Sequence, residues 1–182
     1  MQFSPLTLDG AFAIRSEAVT DERGAFLRSF TAREFAERGL TDRFVQHSFS
    51  LNTKRGTVRG LHYQAAPFRE TKLVRCIRGV VFDVIVDLRQ KSPTYRRWCG
   101  VELSAANRTA VYVPEGCAHG FQTLVDHCEL EYLITPEYVA SAARGVRWND
   151  PLIGVRWPIT TGVVISERDR QLPSIDVIDP AS

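Results

Sequence analysis

No run of apolar residues in this 182-residue sequence approaches the roughly 20 that a membrane-spanning helix needs. The first twelve residues, Met1 to Phe12, contain no basic stretch leading into an apolar one, so no secretory signal is expected. Cysteine is scarce: Cys76, Cys99, Cys117 and Cys128 are the four, and none forms a CxxC pair, which argues against a zinc ribbon or a thioredoxin-like motif. They read as reduced, structural thiols of a cytoplasmic protein, with Cys76 a small buried hydrophobe. Neither sign of charge dominates. Lys plus Arg number 23 and Asp plus Glu 21, a net charge of +2, so no basic excess points to nucleic acid. A small anion held by a few well-placed cations remains compatible with that balance. There is no repeat, low-complexity tract or Pro/Gly/Ser linker, and 44% hydrophobic with 24% charged residues excludes a disordered chain. One domain over residues 1–182 is expected.

What is present is mostly strand-like. One short helix, about Ala32 to Arg38, is expected from Thr31 and Glu34 as a capping box, Phe30 and Phe35 as a hydrophobic staple, and Gly39 as the stop. Val45–Thr53, Lys72–Ile77, Val80–Leu88, Thr109–Pro114 and Glu129–Thr135 have strand patterning, and Val163–Ser166 is a further candidate. Turns are expected at Arg78-Gly79, Ser92-Pro93, Pro114-Glu115-Gly116 and Asn149-Asp150-Pro151. Many short strands with little helix indicate an all-β sandwich or barrel.

Several polar residues stand where such a sandwich should be apolar. In Arg59–Gln64, strict alternation puts Gly60, His62 and Gln64 on one face and Arg59, Leu61 and Tyr63 on the other. Lys72 opens an otherwise apolar strand face, Asp83 interrupts an apolar strand, His119 follows a turn, and Tyr132 shares a face with Leu130 and Ile134. For His62 alone, a core imidazole bonded to a carbonyl is the plainer alternative, and for the set, an internal hydrogen-bond network without chemistry. Burying each group unpartnered costs a few kcal/mol, so one shared polar cavity explains them better than separate defects. A base, a cation and a phenol together suit abstraction of a proton α to a carbonyl, with the enolate stabilised and reprotonated.

The spacing is also similar to the two cupin motifs. Gly56 precedes His62 with five residues between, and Pro114-x-Gly116-x-x-His119 fits the second motif. The second position of the metal-binding H-x-H is Gln64, however, Glu70 stands only near the usual glutamate, and Thr123 replaces a common Asn. Two histidines, a glutamate and an amide make a poor metal shell. The expectation is a cupin jelly roll that has lost its metal.

Longer motifs carry a more specific resemblance. Asp21-Glu-Arg-Gly-x-Phe26, Arg59-Gly-Leu-His-Tyr-Gln64, Lys72-Leu-Val-Arg-Cys76, Phe82-Asp-Val-x-Val-Asp-Leu-Arg89, Pro114-Glu-Gly-x-Ala-His-Gly-Phe121, Trp148-Asn-Asp-Pro151 and Ser166-x-x-Asp169 together resemble the dTDP-4-dehydrorhamnose 3,5-epimerases. The resemblance implies a cupin-type jelly roll working as a homodimer without metal or cofactor. Its activity would be epimerisation of a nucleotide-linked 4-keto-6-deoxy sugar at C3 and C5. It implies His62 as base, Asp169 as the carboxylate that orients it and keeps it basic, Lys72 as the cation facing the C4 oxygen, and Tyr132 as acid on the opposite face. Tyr138 would stack on the nucleotide base, while Arg23, Phe26, Gln46, Arg59, His119 and Arg168 would contact substrate. Arg23 and Phe26 would do so across the dimer interface, from an N-terminal arm of about residues 1–30. A C-terminal segment of about 159–182 would close the site, and the tail from about Leu172 carries no signal of its own. Arg28, Ser48 and Ala143 depart from the family pattern at ligand contacts, which leaves open a changed nucleotide or sugar, or epimerisation at one carbon only. A metal-dependent cupin oxygenase and a non-catalytic nucleotide-sugar binding module are the competing expectations.

Overall fold

The central strands are buried on both faces in the computed structural model, which describes residues 1–178. In chain order the strands are β1 (Gln2–Pro5), β2 (Phe12–Arg15), β3 (Ala18–Asp21), β4 (Gly24–Leu27), β5 (Gln46–Asn52), β6 (Val58–Gln64), β7 (Thr71–Arg78), β8 (Val80–Asp87), β9 (Trp98–Ser104), β10 (Thr109–Val113), β11 (Cys117–Thr123), β12 (Cys128–Thr135) and β13 (Ala143–Gly145). Two antiparallel sheets, ordered β1-β2-β10-β7-β12-β5 and β13-β6-β11-β8-β9, lie face to face as the jelly-roll sandwich. Val74, Cys76, Leu130 and Val111 of the first sheet meet Val81, Ile85, Leu103 and Phe121 of the second in the central core.

Each sheet is also covered on its outer face. The helix α1 (Ala32–Ala36) lays fully buried Phe35 over Ile14, Leu73 and Tyr112 of the six-stranded sheet. The C-terminal third covers the other sheet, where Ile153, Trp157 and Ile175 pack on Val58, Leu61, Tyr63 and Val84. The expected staple forms, with the Phe30 and Phe35 rings 4.8 Å apart, and Gly39 ends the helix at φ +68°. The expected capping box does not form. Thr31 caps with no side-chain bond and its buried hydroxyl has no partner, because Glu34 is drawn instead to the Met1 ammonium at 3.2 Å. The helix also stops at Ala36, two residues short of what the pattern suggested.

Val163–Ser166 is not a strand. Gly162 turns the chain at φ +67°, and Ser166 already caps the short helix α2 (Glu167–Arg170), leaving Val164 alone to form a parallel bridge with Thr57. The N-terminal residues divide: β1 and β2 belong to the six-stranded sheet, while β3 and β4 pair only with each other among the described residues. That hairpin exposes Val19 and Phe26. All four cysteines are free, as expected, and all are buried, where burial was expected of Cys76. Burial pushes the Cys76 thiol up to about 11, and Cys99 and Cys117 up to about 12, so they stay protonated and unreactive at neutral pH.

Strict alternation fails in β6. His119 of β11 pairs with His62, but Phe121 pairs with Arg59, so the single residue Gly120 of β11 opposes both Gly60 and Leu61 of β6. This bulge puts Val58 and Leu61 both in the outer cluster. Arg59 is thereby turned onto the inner face with His62, not away from it. Gly60 permits the bulge: it sits at φ +122°, and a Cβ there would lie 2.7 Å from the Gly120 Cα and 2.8 Å from the His119 carbonyl oxygen.

Candidate functional site

The sandwich opens between two of its edge strands, β5 and β13, onto a cavity of about 300 Å³. His62 reaches it from β6, Lys72 from β7 and Tyr132 from β12, while Tyr138 stands on the segment after β12 and Arg168 on α2. Each strand residue points inward by the alternation of its own strand, so the core pattern itself delivers three polar groups to one space.

His62 donates from Nε2 to Asp169 Oδ1 at 2.7 Å. The imidazole is 38% exposed and the carboxylate only 6%, so the ring faces the cavity and its partner stands behind it. Asp169 is fixed in turn by the Gly60 N–H, which donates to Oδ2 at 3.1 Å, and by its own N–H bonded to the Ser166 hydroxyl. Burial works against its charge, but the hydrogen bond and charge of His62, the Gly60 N–H and the Arg168 guanidinium outweigh it and hold the carboxyl below its ordinary value. An ionised Asp169 keeps the proton on Nε2 and leaves Nδ1 with a free lone pair.

Across the cavity, burial pushes the Tyr132 phenol well above its ordinary value, with the Asp83 carboxylate adding to the effect and Arg59 opposing it. Tyr132 therefore remains a proton donor at neutral pH. Behind it, His119 bonds to Asp83 Oδ2 at 2.8 Å, and its ring meets that of Tyr132 edge-on at 5.9 Å. Lys72 is buried and paired with Glu70 at 2.7 Å.

The five polar strand residues singled out by pattern, His62, Lys72, Asp83, His119 and Tyr132, thus do form one neighbourhood. Arg59 approaches it by way of the bulge and is held by Asn52 at 2.8 Å. Gln46 holds the loop, accepting from the Tyr138 N–H at 2.6 Å. Arg23 and Phe26 are not brought in: both lie on the β3–β4 hairpin, where Arg23 pairs with Asp21. Of the departures from the family pattern, Ser48 and Ala143 line the cavity and Arg28 does not.

Some residues were missed or read otherwise. Glu70, expected only as a metal donor, is instead the ion-pair partner of Lys72, two positions further on. Gln64 is a brace, donating to the Phe68 carbonyl and accepting from the Val139 N–H. Phe49 and Arg144 also line the cavity without any signal in the strand pattern. The tail makes structural contacts: Leu172 packs against Gly145, and the Ser174 hydroxyl donates to Asp150. Its last residues, 179–182, lie outside the described part. Among the described residues no three His, Cys, Asp or Glu side chains are grouped to hold a metal ion: His62, His119 and Glu70 each face a different partner.

A sequence profile of the family described as dTDP-4-dehydrorhamnose 3,5-epimerase matches residues 5–176. The chain belongs to that family. A dTDP-4-dehydrorhamnose 3,5-epimerase of Methanothermobacter thermautotrophicus is 47% identical over 171 residues, 93% of this chain and 91% of that one. The crystal structure of the dTDP-4-dehydrorhamnose 3,5-epimerase from Elizabethkingia anophelis superposes with a TM-score of 0.94 at 35% identity, covering 97% of each chain. A Streptomyces niveus protein named dTDP-4-dehydrorhamnose 3-epimerase is 40% identical over 93% of this chain and 82% of its own. The cupin-type jelly roll is therefore that of a family of sugar-nucleotide isomerases.

Proposed function

We propose that this chain epimerises a nucleotide-diphosphate 4-keto-6-deoxy sugar at C3 and C5, with dTDP as the nucleotide, and that it does so without metal or cofactor. The observation that carries the reading is the His62–Asp169 pair opening onto the same cavity as the Tyr132 phenol and the Lys72 ammonium.

His62 Nδ1 takes the proton from the carbon next to the C4 carbonyl. The C–H electrons become the C=C bond of an enolate, and the charge moves to the C4 oxygen. Lys72 faces that oxygen and stabilises it, with Glu70 fixing the ammonium. Tyr132 delivers a proton to the opposite face of the carbon, which inverts it. The imidazolium then gives its proton to solvent, and the phenolate recovers one. A base and an acid on opposite faces are needed because a single group would return the proton to the face it came from. Tyr138 stacks on the nucleotide base, and Arg168, Arg59, Gln46 and His119 contact the rest of the substrate, a diphosphate suiting the guanidinium fork.

Two copies would complete the site. The exposed hairpin is the arm, and it would carry Arg23 and Phe26 into the partner's cavity. The segment from about residue 159 closes the site through Asp169, and the enzyme would work in the cytoplasm.

Incubation with dTDP-4-keto-6-deoxyglucose in heavy water tests this. Deuterium at both C3 and C5 is the expected result. Deuterium at one carbon would instead fit the second reading, favoured by the relative named as a 3-epimerase and by Ser48 and Ala143 in the cavity wall. No incorporation into this or other nucleotide-linked keto sugars would overturn the enzymatic reading.

A further inference from the structure

The carboxylate that orients the proposed base is carried on a helix of only four residues, too short to hold its place unaided. Both flanks of this helix are tied down. On the upstream side, Val164 exchanges hydrogen bonds with the start of β6 and with Gly56, two residues before it: its N–H donates to the Gly56 carbonyl at 3.0 Å, and its carbonyl accepts from Val58 at 2.8 Å. On the downstream side the tie is Asp150, a 2% exposed carboxylate with no part in the proposed proton transfers.

Its two oxygens divide their work. Oδ1 accepts from the N–H groups of Leu152 and Ile153, at 2.8 and 3.3 Å, and so fixes its own turn. Oδ2 accepts from the Ser174 hydroxyl at 2.6 Å and the Ile175 N–H at 2.9 Å, and so grips the chain just beyond α2. The neighbouring Arg147 N–H donates to the Pro173 carbonyl at 2.9 Å, and Arg147 Nε stands 3.6 Å from Oδ2. Between helix and clamp, Leu172 fits where Gly145 has no side chain: a Cβ there would be 2.7 Å from it. Gly145 is itself the cross-strand partner of His62. One unbroken set of contacts thus runs from Asp150 through Ser174 and Leu172 to Asp169 and His62.

We infer that Asp150 is a positioning residue, setting the Asp169 carboxylate against the His62 ring by clamping the segment that carries it. Its place in catalysis rests on the epimerase reading; its effect on the His62–Asp169 pair does not. A buried carboxylate that only rigidified a turn would need one oxygen, whereas here the second is spent on a segment 24 residues away.

The test uses the full chain with Asp150→Asn and, as a milder change that removes one hydrogen bond, Ser174→Ala. The ¹⁵N shift of His62 Nε2 is read in long-range ¹H–¹⁵N spectra, its peak identified by its absence from His62→Gln. Deuterium incorporation supplies kcat and KM, and both are measured well below each variant's melting temperature. The Nε2 shift is expected to move in both variants, more in Asp150→Asn. In that variant kcat should fall about tenfold or more with KM little changed, because a misplaced base costs rate before it costs binding. An Nε2 shift like wild type in folded variants overturns the inference even if the melting temperature drops. So does an unchanged kcat in an active enzyme. If Asp150→Asn does not fold, Ser174→Ala decides. If wild type incorporates no deuterium, the epimerase reading falls, while the Nε2 shift still decides whether Asp150 sets the pair.

Discussion

On the proposed mechanism, a single hydroxyl separates proton exchange from inversion at this site. Tyr132→Phe removes the proposed acid but leaves His62, Asp169 and Lys72 as they are, so the variant should still exchange substrate hydrogen with solvent on the His62 face. Net inversion should fall by about 10² to 10⁴-fold, the usual worth of a positioned acid. Comparing deuterium wash-in with product formed measures both, and unchanged product formation would show that another group is the acid. Residues such as Tyr132, His62 and Lys72 were legible in the sequence because each breaks an apolar strand face, and burial makes such a break expensive. Asp169 was not legible in that way. It lies in Glu167-Arg-Asp-Arg170, a polar stretch on a short helix, where one more carboxylate breaks no pattern; only the family resemblance pointed to it. Asp150 was equally hidden, since an Asn-Asp-Pro turn explains an aspartate without reference to what its second oxygen holds.

At the scale of the element, the informative failure is in β6. Period-two alternation placed Arg59 away from His62, and one extra residue reversed that. The bulge is invisible to alternation because Gly60 carries no side chain whose burial would betray it. The same glycine donates its N–H to Asp169, so the irregularity also sets the dyad. Gly60→Ala should therefore be costly twice. A Cβ pressed against the Gly120 backbone should destabilise the fold by about 1–3 kcal/mol, and the displaced strand should lower turnover in the protein that remains folded. Urea unfolding and deuterium incorporation check the two effects; wild-type values for both would mean the strand accommodates the side chain. The helix α1 shows the opposite case, where the staple and the Gly39 stop form as expected and the expected capping box does not, because Glu34 finds a distant partner in the Met1 ammonium.

The buried titratable groups give the whole molecule a stability window. Burial opposes ionisation of Asp87, Asp150 and Asp169, but hydrogen bonds outweigh it: from Arg89, Ser92 and Thr94 to Asp87, from Ser174 and three backbone N–H groups to Asp150, and from His62 and Gly60 to Asp169. All three are depressed below 3.8. Below that value the unfolded chain binds more protons than the native one, so their contribution is complete above it and is lost as pH falls through the native values. The raised thiols and the Tyr132 phenol act at the other end. The native state holds those protons more tightly, and stability falls as pH rises past the ordinary thiol and phenol values of 9.0 and 10.0. Urea midpoints should thus be level between about pH 5 and 8 and fall on both sides; a midpoint that rose on acidification below pH 4 would contradict these assignments. The two-sheet architecture was readable from strand patterning, whereas the cover on the five-stranded sheet was not, because its residues have no regular period. That cover has a consequence in time. His62 and Asp169 stand 107 positions apart, and translation proceeds at about 5–20 residues per second. A nascent chain therefore carries His62 for several seconds before Asp169 exists, and one terminated between them never gains it, so the proposed base waits on its partner through most of that interval.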